Sequence, residues 1–334
     1  MSNQSKLNKV FITKEIPATA LDLLKASGKA LTIWPMEKPL DSDTLIEQCL
    51  DHQALICVGH QKLDREVLEG LNHLDVIAQF GAGYDNIDIE AASDSGILVC
   101  NAPFAMNQAT ADVAFGLMIA TSRKMFYMHK RIINNEWGGF QPMANLGFEL
   151  KNKTLGVFGL GRIGIELAKR CQGAYQMDVI YHNRNRNKEA EQLLNAKWVS
   201  FDELLSESDI VSVHCALTAE TQGLFDREAF AKMKSTALFI NTSRGKVHNE
   251  PDLIKALEEG EIWGAGLDVS DPEPMKSDNA LLSMENVSVL PHIGSATWEA
   301  RTEMARLCAQ NIIQFYTNEV VKHAINADRV KSRL

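Results

Sequence analysis

Three polar residues follow short apolar runs in the second half of the chain. Arg244 closes ALFINTSRG, His292 closes VSVLPHIGS, and GAGLDVSDPEP runs past Asp268 to Glu273. In an open parallel sheet the reactive crevice lies beyond the carboxyl ends of the strands, so these stretches would deliver an arginine, a carboxylate and a histidine to one place. An arginine clamps an anion, a histidine can give a proton, and a carboxylate can tune it. Beside a nicotinamide, that set is what reduction of a 2-oxo acid requires.

A nicotinamide site has its own signature upstream. TLGVFGLGRIGIELAKRC places Gly159, Leu160, Gly161, Arg162, Ile163 and Gly164 between an apolar strand pattern and a helical one, with the spacing G-x-G-x-x-G. The first glycine suits a tight turn and the second a close approach of pyrophosphate to the backbone. The third suits close packing of helix on strand, and the helix N-terminus attracts the anion. About 20 residues on, where an acidic residue would hydrogen-bond a ribose 2′-hydroxyl, VIYHNRNRNK offers Asn183, Arg184, Asn185 and Arg186. A carboxylate there would repel a 2′-phosphate, whereas a charge-assisted hydrogen bond from arginine contributes about 1.5 to 3 kcal/mol. At about 1.4 kcal/mol per decade this favours NADP(H) over NAD(H) by roughly tenfold or more, with NAD(H) still possible. Arg184 lies nearer the strand end than Arg186 and is the expected phosphate ligand.

Nine histidines require sorting. His292, with Pro291 before it and Gly294 two residues after, sits in a constrained turn and is the candidate acid. His214, after SDIVSV, is expected to line the cofactor cleft, together with Thr242, Ser243 and Gly294. His60 ends a strand pattern in the first half and could approach a substrate. His52, His73, His129 and His323 have the polar contexts of surface residues, and His182 and His248 read as structural.

Strand and helix patterns alternate along the whole chain. KVFIT, ALICV, LDVIAQF and GILVCN form one series; KTLGVFG, MDVIYHN, SDIVSVHC, TALFINTS, WGAGLDVS and NVSVLPH form a second. Such alternation predicts parallel sheets with helices around them. A long helical pattern runs from about Ala109 to Asn135, and another from Thr297 to Thr317 lacks a strand of its own, so it could return to the first domain. At 334 residues and 45% hydrophobic content two cores are expected: residues 1–103 with 296–334, and residues 104–295. The net charge of −9 gives no field for nucleic acid or an anionic membrane. Six scattered cysteines without a CxxC pair read as reduced thiols, with no metal framework. The polar start MSNQSKLNKV and the lack of a long apolar run predict a cytoplasmic protein.

These motifs resemble the D-isomer-specific 2-hydroxyacid dehydrogenase family, and more narrowly its glyoxylate/hydroxypyruvate reductases. The resemblance covers GAGYDNID at 81–88, NAPFAMNQATADVAFGLM at 101–118, ELKNKTLGVFGLGRIG at 149–164, HCALTAETQGLF at 214–225, FINTSRGKV at 239–247, GAGLDVSDPEP at 264–274 and LPHIGSAT at 290–297. It implies an α/β fold of two doubly wound parallel-sheet domains: a Rossmann nucleotide-binding domain and a flavodoxin-like substrate domain, with the site in the cleft between them. It implies that Arg244 binds the carboxylate and adjacent carbonyl of a small 2-oxo acid, that His292 is the acid/base, and that Glu273 hydrogen-bonds its imidazole. Asp268 would hold the nicotinamide carboxamide, and the amides of Ala82 and Gly83 would help grip the carboxylate. The helix after Ala109 would build a homodimer. Ala216 stands where many relatives have proline, and Phe140 where a second tryptophan would follow Trp137, which leaves the aromatic wall of the pocket open. Other readings are a sibling dehydrogenase of the phosphoglycerate or D-lactate type, or a non-catalytic, corepressor-like dinucleotide binder. Against the last stands the complete Arg244, Glu273 and His292 set.

Overall fold

The structure, a computed structural model, describes residues 8–35 and 40–330. Residues 1–7, which supply most of the polar N-terminal stretch noted above, lie outside the described residues. The chain divides into two compact units, Met1–Met106 with Ala296–Leu334, and Asn107–Ser295.

The first unit is built on five parallel strands, β1 (Lys9–Ile12), β2 (Ala30–Ile33), β3 (Ala54–Val58), β4 (Val76–Phe80) and β5 (Leu98–Cys100), in the order β2-β1-β3-β4-β5. This is the flavodoxin-like doubly wound order. β3, β4 and β5 are almost wholly buried, because a parallel sheet covered by helices on both faces must be apolar on both. Aspartates 41, 64 and 88 accept hydrogen bonds from the first-turn amides of the helices Ser42–Cys49, Arg65–Gly70 and Ile89–Asp94 and so fix their starts. The long helix Trp298–Tyr316, capped by Thr297, does return to this unit. Its Cys308 lies 3.4 Å from the Gln79 carbonyl, and Asn311 Nδ2 donates to the Asn101 carbonyl at 2.9 Å. One histidine differs from expectation. His52 is buried: its Nε2 pairs with the Thr32 hydroxyl at 2.8 Å and its ring meets Phe11 edge-on, so it fills the core beneath β1 and β2.

The second unit carries seven parallel strands: β6 (Thr154–Phe158), β7 (Asp178–His182), β8 (Lys197–Trp198), β9 (Ile210–Val213), β10 (Leu238–Asn241), β11 (Gly264–Leu267) and β12 (Val287–Val289). Their order, β12-β11-β10-β9-β6-β7-β8, is that of a dinucleotide-binding sheet with one strand added, and its switch point lies between β6 and β9. The helical pattern read from Ala109 to Asn135 is two helices, Asn107–Ser122 and Met125–Ile133, broken at Lys124, whose φ is 53°. The first of these packs inside the unit with Ala111, Ala114 and Met118 buried; the second buries no residue. No helix among the described residues is long and apolar enough to cross a membrane.

Candidate active site

The glycine loop joins β6 to the helix Arg162–Tyr175 at the switch point, and its glycines do different work. Gly159 has φ 94°, and a Cβ there would lie 2.8 Å from the Cys215 amide nitrogen, so the turn needs glycine on both counts. At Gly164 a Cβ would meet Val157 Cγ1 at 2.9 Å, which is how the helix comes so close to its strand. A Cβ on Gly161 would meet nothing nearer than 4.0 Å, so this side of the loop is open. Gly161 also caps the helix without any side-chain hydrogen bond, and the first turn holds no acidic residue. A helix N-terminus with its positive dipole end and an open face fit the pyrophosphate of a dinucleotide.

Beyond β7 the basic turn is tied back to this loop. Leu160 N donates to Asn183 Oδ1 at 2.6 Å, Asn183 Nδ2 donates to the Leu160 carbonyl at 3.3 Å, and Asn187 Nδ2 donates to the same carbonyl at 3.0 Å. Asn183 therefore buttresses Leu160 from both sides of its peptide. The two arginines that follow part company. Arg186 grips Glu191 through Nε at 3.0 Å and its terminal nitrogen at 2.8 Å and lies over the Trp198 ring, while Tyr181 donates to the same carboxylate at 2.6 Å. These hydrogen bonds, Arg186 first, hold the Glu191 carboxyl down at about 2. Arg184 and Asn185 are exposed, and among the described residues Arg184 forms no ion pair.

His214, Thr242 and Ser243 follow β9 and β10. His214 Nε2 pairs with Ser212 Oγ at 2.8 Å and its Nδ1 lies 3.5 Å from Thr242 Oγ1. Burial pushes the imidazole down to about 4, so it is neutral near pH 7. Ser243 donates to Asn241 Oδ1 through both its amide (2.9 Å) and its hydroxyl (2.8 Å), and Asn241 Nδ2 donates to the Arg244 carbonyl at 2.9 Å. Asn241 thus shapes the turn that presents Arg244, whose guanidinium donates to the Ser243 carbonyl at 2.8 Å.

The remaining pair forms between the ends of β11 and β12. His292 Nδ1 and Glu273 Oε1 are 2.5 Å apart, with the two side chains 31% and 27% exposed. A carboxylate only accepts, so Nδ1 carries the proton of this bond. His292 has φ 53°. The backbone after it is held by Asp268, which is 1% exposed. Its Oδ1 accepts from Ile293 N at 2.8 Å and its Oδ2 from Gly294 N at 2.7 Å. Burial raises the Asp268 carboxyl above its ordinary range, against the two amides that favour its charge.

In the first unit, Ala82 and Gly83 follow β4, and among the described residues neither amide donates to a hydrogen bond. Asn101 Nδ2 holds the loop by donating to the Ala82 carbonyl at 2.7 Å. His60 follows Gly59 at the end of β3 and is exposed. Sequence reasoning missed the latch of Tyr181 and Glu191 on Arg186 and the brace from Asn187. The Asn before KEAEQLL signals only a helix cap, which it also is. It missed Thr110 as well, since a threonine inside an alanine-rich helix carries no signal of a partner nearly two hundred residues away.

Comparison with known proteins agrees with this geometry. Residues 115–294 match the family model described as D-isomer specific 2-hydroxyacid dehydrogenase, NAD binding domain. A glyoxylate reductase of Thermococcus litoralis is 42% identical over 97% of this chain and 98% of its own. The crystal structure of a glyoxylate reductase from Paecilomyes thermophila superposes with a TM-score of 0.85 at 34% identity, covering 96% of this chain and 99% of that one. That of an NADPH-dependent glyoxylate/hydroxypyruvate reductase from Sinorhizobium meliloti, in complex with NADP and malonate, gives 0.83 at 27%, covering 96% and 97%. A seven-stranded dinucleotide-binding sheet with an arginine and a Glu–His pair at its strand ends, matched along nearly its full length to such enzymes, belongs to the D-isomer specific 2-hydroxyacid dehydrogenase family.

Proposed function

We propose that this protein reduces small 2-oxo acids, glyoxylate to glycolate and hydroxypyruvate to D-glycerate, with NADPH preferred to NADH. The observation that carries the reading is the 2.5 Å contact of His292 with Glu273 at the ends of strands that also present Arg244. In this reading Asn107–Ser295 is the dinucleotide domain and the other unit the substrate domain. Gly159 to Gly164 hold the pyrophosphate, His214, Thr242, Ser243, Asp268 and Gly294 line the cofactor site, and the turn Asn183 to Asn185 faces the adenosine ribose. When bound, the nicotinamide supplies a hydride to the carbonyl carbon.

The chain's own residues do the rest. Arg244 pairs with the substrate carboxylate and draws the carbonyl oxygen into register. Glu273 fixes the ring and tautomer of His292 and offsets its charge while Nε2 gives a proton to the oxygen that gains electrons. Arg184 is the cation left available for a 2′-phosphate, since Arg186 is committed to Glu191. A cytoplasmic homodimer is part of the reading. Of these, the pairing of two copies is supported by the exposed apolar residues of the helix Met125–Ile133 and the segment after it.

The test is steady-state oxidation of NADPH and NADH against glyoxylate and hydroxypyruvate, with His292→Ala in parallel. His292→Ala is expected to lower turnover by about two to four orders of magnitude and leave the NADPH dissociation constant within about twofold. Retained turnover, or loss of cofactor binding in its place, overturns the assignment.

A further inference from the structure

We infer that Thr110 is a positioning residue for the proton donor, an inference that rests on His292 acting as proposed above. β12 ends at Val289, so the segment bearing His292 has left the sheet and no strand ladder holds it. Its φ of 53° lies in the left-handed region, which is uncommon for any residue but glycine and needs support from its surroundings. Those surroundings include two side chains acting on the successive peptide groups that follow it. Asp268 accepts the amides of Ile293 and Gly294, at 2.8 and 2.7 Å. From the other side Thr110, in the first turns of the helix Asn107–Ser122, donates its hydroxyl to the Gly294 carbonyl at 3.1 Å.

Thr110 is 6% exposed, and its hydroxyl has that carbonyl as its hydrogen-bond acceptor. The approach is close. A Cβ on Gly294 would lie 3.0 Å from Asp268 Oδ2 and 3.3 Å from both Thr110 Oγ1 and Cγ2. Gly294 is therefore clamped at its N–H by the Asp268 carboxylate and at its C=O by a helix that packs on β10, β11 and β12. The direction of the His292 side chain, and with it the bond from Nδ1 to Glu273, follows from that clamp. A displacement of about 1 Å in a group that transfers a proton costs up to about a hundredfold in rate.

The experiment compares Thr110→Ser with Thr110→Ala, which differ by one oxygen, beside His292→Asn and the parent protein. Thr110→Ala is expected to lower kcat about tenfold, to leave the NADPH dissociation constant and the KM for glyoxylate within about twofold, and to raise the solvent deuterium isotope effect on kcat. Thr110→Ser is expected to restore most of the turnover and the parent isotope effect. A purely structural role would lower the active fraction without changing the isotope effect. Equal losses in Ser and Ala, or an Ala variant with the parent kcat and isotope effect, overturn the inference. His292→Asn with full turnover overturns the underlying reading instead. If Thr110→Ala does not fold, Thr110→Val replaces it with the same expected outcome.

Discussion

The turn after β7 distinguishes two arginines that are only two residues apart. Both are expected from charge alone to meet a 2′-phosphate. The structure spends one of them: Arg186 makes two hydrogen bonds to Glu191 and lies over Trp198, and withdrawing it would leave a carboxylate without its main partner. Arg184→Ala is therefore expected to weaken NADPH binding about tenfold or more and to change NADH binding by less than about twofold, read by fluorescence titration of each cofactor. Equal weakening of both would mark Arg184 as structural. Arg186→Ala should affect both cofactors alike, because what it loosens is the turn. Position 184 was legible from its place after an apolar strand. The commitment of Arg186 was not, since it depends on Glu191 coming back one helical turn later and on Tyr181 reaching it from β7. Asn183 shows the same limit: an amide at the end of β7 reads as a ribose neighbour, yet both its polar atoms engage Leu160.

At the level of strands and turns, the sequence revealed what burial makes a continuous apolar run, the buried edge strands β5 and β12 included, and hid the two edge strands that are short or partly exposed. β3, β4, β6, β9, β10 and β11 stood out as apolar runs because helices cover both sides of them. β2 and β8, which edge their sheets, did not, one being partly exposed and the other a two-residue pair with both side chains exposed. The break at Lys124 had no glycine or proline to announce it. Strand ends also explain a buried imidazole that no chemistry uses. His248 is 2% exposed and accepts from Asn241 Nδ2 at 3.0 Å through Nδ1, so its proton sits on Nε2, which has no hydrogen-bond partner among the described residues. The orientation of that amide is fixed by Ser243, whose amide and hydroxyl both donate to Asn241 Oδ1. Burial pushes His248 down to about 4 from the ordinary 6.5. The unfolded chain thus binds a proton that the folded one refuses, and the stability present above about pH 6.5 is lost as pH falls towards 4. A step from pH 7 to 4.5 should cost about 2 to 3 kcal/mol through this residue, at about 1.36 kcal/mol per unit. His248→Gln should lose correspondingly less in urea melts across the same step. A variant as acid-sensitive as the parent would show that the proton goes elsewhere.

For the whole molecule, the feature that most needs a partner is the stretch from 125 to 146. The helix Met125–Ile133 is amphipathic in sequence yet buries no residue, with Ile132 and Ile133 at 52% and 66% exposure. The irregular chain after it exposes Trp137, Phe140 and Met143 at 80%, 93% and 82%. Apolar side chains scattered singly over a surface are ordinary, but this many in twenty-odd consecutive residues mark a contact. Trp137 and Phe140, the aromatics at the positions that left the pocket wall open, are thus exposed on the unit that carries them. A second copy is the natural occupant, because a twofold contact buries the same patch twice and needs no other chain. Stable contacts of this kind remove roughly 800 Å² from each partner, which a helix of nine residues with its following arm can supply. Replacing Ile133 with Glu and Phe140 with Asp together should convert a particle of two chains into one of a single chain in light scattering, with the circular dichroism spectrum and the NADPH dissociation constant nearly unchanged, since both side chains are largely exposed on their own chain. The proposal fails if the parent protein already runs as a single chain at micromolar concentration. It fails equally if the double variant keeps its mass, because two charges set into a dry apolar contact would each have to be buried unpaired.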